Sequence, residues 1–160
     1  MSGFTIKVED AGVLAALRSL AGRLADPTPI NEEIAALGES STRLRFRTMT
    51  GPDGRPWKPS LRAEVSGGRT LTKDGHLSGS ISARHGRDFA EWGVNRIYAA
   101  IHQFGGTIRP KNGKALRFAL AGGGFATVKS VTMPARPFLG LSDDDKADIA
   151  DLIARRLAAA

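Results

Sequence analysis

The sequence contains no cysteine. This excludes disulfides, thiolate metal centres and cysteine nucleophiles, and it suits a chain made in a reducing cytoplasm. No apolar run approaches the roughly 18 residues that a bilayer crossing needs, so no membrane partner is expected. The opening MSGFTIKVEDAG lacks the charged start, apolar block and small-residue cleavage site of a secretory signal. Recognisable catalytic patterns are also missing. There is no G-x-S-x-G elbow, no H-E-x-x-H and no G-x-x-x-x-G-K-[ST] phosphate loop. The three histidines, His76, His85 and His102, match no compact zinc-ligand spacing. Asp143, Asp144 and Asp145 sit where a helix begins, and negative charge already has a use there. Gly122 to Gly124 reads as a turn rather than a phosphate cradle. A hydrolase would need His102 together with Ser78, Ser80 or Asp74, and no pattern supports that set. No catalytic residue, cofactor or metal is therefore expected, and the chain is read as non-enzymatic.

What is present is size, apolar content and uneven charge. The chain has 160 residues, 41% of them hydrophobic, enough for one domain with a real core. The net charge is +7, and it is concentrated in the middle. Residues 41–140 carry 17 Lys and Arg against 5 Asp and Glu, while the two ends together carry 6 against 11. A basic middle can meet nucleic acid, an acidic protein surface, or the acidic ends of neighbouring copies. Arg43, Arg45 and Arg47 are the candidate contacts for DNA or an acidic partner.

Periodicity gives a coarse map. Phe4 to Val8 alternates as a strand, and Asp10 caps a helix whose stripe runs through Val13, Leu14, Leu17, Leu20 and Leu24. A second helix starts at Thr28-Pro29 with Ile30, Ile34, Leu37 and Leu44 on its stripe, and the alternation of Arg43, Arg45 and Arg47 with Leu44 and Phe46 reads as its end or as a short strand. Gly38 weakens the helix by roughly 1 kcal/mol relative to alanine. TGPDGRPWKPS (50–60) is a stiff loop with Trp57 as its anchor, and irregular structure continues over 61–72. A short helix is expected within 71–81, a hairpin over 81–94 turning at 84–87, and a helix carrying Ile97, Tyr98, Ile101 and Phe104 on one face. Gly105 ends that helix. Strands follow at 107–109, 115–120 and 126–132. The last helix is capped by Ser142, and Asp145 completes a capping box. This order predicts a single α+β domain over residues 1–160. N-terminal helices and a C-terminal helix flank an antiparallel sheet, with glycine-rich mobile loops at 50–70 and 105–130.

Four strings occur in a fixed order: DGRPWKPS (53–60), LTKDGHLSGSI (71–81), GVNRIYAAIHQFGG (93–106) and MPARPFLGLSDDD (133–145). Together they resemble the phage virion morphogenesis family, the Mu-like tail completion proteins, over roughly residues 28–155. Asp74 departs from the threonine or serine usual at its place. The resemblance implies a structural protein of the virion, at the tail end or neck, present in the host cytoplasm during assembly. It implies partners of two kinds: copies of the chain in a ring, six-fold if it follows tail symmetry in general, and tail-tube or connector proteins; the basic middle adds DNA as a candidate contact. It makes Trp57, Tyr98, His102, Phe104, Arg136 and Phe138 candidates for the assembly interface. The alternative reading is a basic nucleic-acid-binding module.

Overall fold

A computed structural model describes Gly22, residues 26–120 and residues 122–158. The strand expected at Phe4–Val8 and the helix expected after Asp10 lie outside the described residues. Helix α1 spans Thr28–Thr48. The Asp26 carboxylate accepts from the Thr28 N–H at 3.1 Å, which satisfies one of the free donors at the helix start. At the other end Met49 turns into the left-handed region (φ 58°) and its N–H returns to the Arg45 carbonyl. Glycine is the usual residue there.

Strands β1 (Ile81–His85) and β2 (Ala90–Val94) form an antiparallel hairpin, with Ile81 opposite Val94 and His85 opposite Ala90. The connection is Gly86 to Phe89, two residues later than the pattern suggests, because Arg84 and His85 stay in the ladder. Helix α1 packs on both strands. The Asn31 side chain fixes the orientation by donating to the carbonyls of Gly86 (2.8 Å) and Arg87 (2.9 Å). Gly38 is the point of closest approach. A Cβ there would lie 2.3 Å from the Trp92 ring, so the residue that weakens the helix is the one that admits the indole.

Between α1 and the hairpin lie two short helices, α2 (Leu61–Ser66) and α3 (His76–Gly79). The first replaces the irregular structure expected there, and Ser60 caps it by accepting from the Ala63 N–H at 3.2 Å. The second is a single turn rather than most of 71–81. Leu71 and Gly75 both hold positive φ, which a continuous right-handed helix cannot contain.

Helix α4 (Ala99–Phe104) is shorter than expected, and Ile97 lies outside it. Gly105 leaves it with φ 68° and ψ −173°, an extended conformation open to glycine and distinct from the left-handed helical cap expected. The remaining strands are nested. β3 (Gly106–Ile108) pairs with β6 (Val131–Met133), and between them β4 (Leu116–Ala119) pairs with β5 (Phe125–Val128). The single strand expected at 126–132 is thus two. The one expected sheet is three two-stranded antiparallel ladders. Helix α5 (Asp143–Ala158) closes the chain and packs on α1. The class is α+β, with helices flanking antiparallel strands.

Phe46, Trp57, Leu77, Ile81, Ala99 and Phe138 form the buried cluster. Each comes from a different element or loop, so no local segment can build this core alone. Phe46 sits at its centre, with its ring 5.4 Å edge-on to Trp57 and 5.3 Å from Phe138, spacings at which aromatic quadrupoles attract.

Candidate assembly interface

The segment Pro134-Ala135-Arg136-Pro137-Phe138-Leu139-Gly140 lies outside every helix, and its two prolines restrict its backbone. It belongs to no strand ladder, so its backbone polar groups need other partners. Side chains from three parts of the chain and one backbone carbonyl supply them. The Gln103 amide accepts from the N–H groups of Phe138 (2.9 Å) and Leu139 (3.0 Å), and donates to the Leu139 carbonyl (2.9 Å). The Trp57 indole donates to the Pro137 carbonyl at 2.8 Å. Arg45 donates to the carbonyls of Phe138 (3.0 Å) and Gly140 (2.8 Å). The Arg136 N–H donates to the His102 carbonyl at 2.7 Å. The distant strings of the sequence therefore meet on one strap.

This arrangement corrects several candidate contacts. Trp57, Arg136 and Phe138 are buried, so none presents its side chain to a neighbour. Arg136 instead reaches the carbonyls of Lys58 (2.6 Å) and Pro59 (3.1 Å), which tie the Trp57 loop to the strap. Of the three arginines proposed for DNA, Arg45 is buried in an ion pair with Asp145. Arg43 is exposed but engaged. It pairs with Glu39 at 2.7 Å and donates to the carbonyls of Ser78 (3.1 Å) and Ile81 (2.6 Å), which binds α1 to the start of β1. Arg47 is exposed and, among the described residues, makes no ion pair or side-chain hydrogen bond.

His102 is half-buried, with its ring edge-on to Tyr98 at 6.1 Å. Its Nδ1 is buried and meets no hydrogen-bond partner among the described residues. Burial, and then the nearby Arg136 guanidinium, hold its pKa below the ordinary histidine value. A nucleophile would have to come from elsewhere. The Ser78 hydroxyl donates to the Gly75 carbonyl and the Ser80 hydroxyl to the Leu77 carbonyl. Among the described residues no cluster of three or more His, Asp or Glu is gathered that could hold a metal.

Tyr98 and His102 lie in the wall of an open cleft of about 840 Å³. Its apolar lining comes from Leu61, Leu71 and Leu77 on one side and Ile108, Leu116 and Phe118 on the other. Exposed apolar residues occur here and elsewhere on the surface. Ile97 is 98% exposed, Phe104 78%, Leu61 72% and Phe125 64%. Phe104 thus keeps its place as a contact candidate and Tyr98 is partly available, whereas Ile97, Leu61, Val65 and Phe125 were not foreseen. The available sequence signal was the set of large apolar residues in short elements that offer no opposite polar face. The role of Gln103 was likewise hidden, since nothing local marks which backbone it clamps.

Over 138 residues the chain is 35% identical to Mu-like prophage FluMu G protein 2 of Haemophilus influenzae, covering 86% of this chain and 83% of the relative. It is 32% identical over 138 residues to putative capsid assembly protein G of Escherichia phage Mu, covering 79% and 77%. No solved structure matches it. The sequence pattern of one family spans residues 8–158, nearly the whole chain, and this chain belongs to that family: the phage virion morphogenesis family.

Proposed function

We propose that the chain is a structural subunit of tailed-phage assembly that acts at tail completion or the head–tail junction by joining copies of itself into a ring. A role in phage assembly follows from the family and from relatives named for prophage and capsid assembly proteins. The observation that carries the finer reading is a subunit finished inside and unfinished outside. Arg45, Trp57 and Gln103 are bonded to the strap, while Ile97, Phe104, Leu61 and Phe125 stand open to water. Large apolar groups left out in this way are what subunit interfaces cover. The reading assigns the protein no bond-making step. It places the chain in the virion at tail or neck, and in the host cytoplasm before that. Six copies would match general tail symmetry, with tail-tube or connector proteins as further partners.

Sedimentation velocity over a concentration series, alone and with purified tail tubes, tests this. A discrete oligomer, or co-sedimentation with the tubes, is expected. A strict monomer under every condition overturns the reading.

A further inference from the structure

From Trp92 to Ser142 the chain contains no acidic residue. The nested strands β3–β6 lie in the middle of this stretch and form an arm over residues 106–133. The arm carries Arg109, Lys111, Lys114, Arg117 and Lys129, all exposed. Several of its apolar groups remain exposed as well, two of them (Ile108 and Phe118) at the wall of the cleft. Ile108, Phe118, Leu120 and Phe125 are all exposed, and the Arg117 guanidinium lies 4.5 Å over the Phe125 ring. Two-stranded ladders have little stability of their own and leave both edges open. Such an arm is built to be covered.

The complementary surface is on α5. Asp144, Asp148 and Asp151 recur at helical spacing and are exposed, on a flank of the helix roughly a quarter-turn from buried Asp145 and Leu152. Among the described residues, no ion pair or hydrogen bond engages these three carboxylates, and no ion pair joins an arm cation to α5. The other acidic residues of the helix are accounted for: Asp143 holds Lys146, and Asp145 holds Arg45.

We infer that the arm of one subunit docks on the outward Asp144/Asp148/Asp151 face of α5 in a second copy of this chain. The charges set register and partner, while Phe118, Leu120 and Phe125 supply the buried area. Because the two surfaces differ, repeating the contact closes a ring when the rotation between copies allows it. This deepens the assembly reading and rests on it.

Charge exchange tests the contact. One variant reverses the helix face (Asp144, Asp148 and Asp151, each →Lys). A second reverses the arm (Arg109, Lys111 and Lys114, each →Glu), sparing Arg117 on its ring. A third carries both sets and keeps the wild-type net charge. Circular dichroism checks that each is folded, and sedimentation velocity reads assembly. The wild-type oligomer is expected to be lost in each single-surface variant and to return in the doubly reversed chain. If folded single-surface variants assemble like the wild type, or the doubly reversed chain stays monomeric, the contact is wrong while ring formation stands. A wild-type chain that never assembles removes the assembly reading and this inference together. A short duplex DNA is the control ligand. If reversing the arm abolishes DNA retention and leaves self-association intact, the arm serves nucleic acid and the inference is overturned.

Discussion

Arg45 and Asp145 stand 100 positions apart in sequence and form a buried ion pair that locks the end of α1 to the first turn of α5. Asp145 serves two ends at once. Its carboxylate accepts from the Ser142 N–H at 2.8 Å, and its own N–H donates to the Ser142 hydroxyl at 3.1 Å. That is the expected capping box, with an arginine added to it. Burial opposes its charge, but hydrogen bonds from Ser41 and Ser142 and the Arg45 guanidinium outweigh burial and hold its pKa below the usual aspartate range.

Asp145→Asn is expected to destabilise the chain by about 3 kcal/mol, since it leaves a buried guanidinium without its counter-charge. Urea unfolding measures this, and a loss under about 1 kcal/mol would show that the carbonyls of Phe138 and Gly140 satisfy Arg45 unaided. The same group gives a limb of acid sensitivity. Its folded pKa is depressed, so its contribution is complete above the ordinary value of about 3.9 and is lost as pH falls through the lower folded value.

Gln103→Leu preserves side-chain bulk but removes three hydrogen bonds to the strap. Two backbone N–H groups and a carbonyl at part-buried positions then lose their partner, at a cost of about 1–3 kcal/mol. The readout is hydrogen exchange at Phe138 and Leu139 alongside global stability. Unchanged protection at those two amides would contradict the clamp.

Gly38→Ala sets two effects against each other. Helix propensity favours alanine by about 1 kcal/mol. The new methyl, however, would stand 2.3 Å from the fused bonds of the Trp92 indole, a rigid group. Overpacking costs about 1–3 kcal/mol, so a net loss of stability is expected. Combining it with Trp92→Leu makes room and should restore the alanine gain. A stabilised single variant would mean that the hairpin shifts on α1 at little cost.

His102 gives a second pH limb, near neutrality. Its folded pKa is depressed, so below the ordinary value of about 6.5 the unfolded chain takes up a proton that the folded chain resists. Stability is expected to fall as pH drops from about 6.5 and to level off below the folded pKa. His102→Gln should flatten that part of the profile in thermal melts. A wild-type slope matched by the variant would assign the loss to other groups.

The outline of the fold was legible because helices and hairpins announce themselves locally. The stripe of α1, the β1–β2 alternation and the α5 cap all lie within a few residues of their own cause. The short elements were less visible. Positive φ at Leu71 and Gly75 confined the helix expected within 71–81 to one turn, and the strand expected at 126–132 divided because its two halves pair with different partners. The candidate contacts fared according to which distant parts of the chain met them. Trp57, Arg45 and Arg136 look like surface groups in sequence, and each is drawn inward by a backbone carbonyl about 80 or more residues away.

By itself the sequence determined the family, the α+β class, the segregation of charge and the ends of the longest helices, since all of these follow from composition, order and spacing along the chain. Only the tertiary structure decided which cations and rings are consumed by the fold and which are left for a neighbour. Burial depends on what arrives from elsewhere in the chain. Phe138 is sealed and Phe125 is open although both sit among small and apolar neighbours in sequence, because Phe46, Gln103 and Arg45 converge on the first and no described element covers the second.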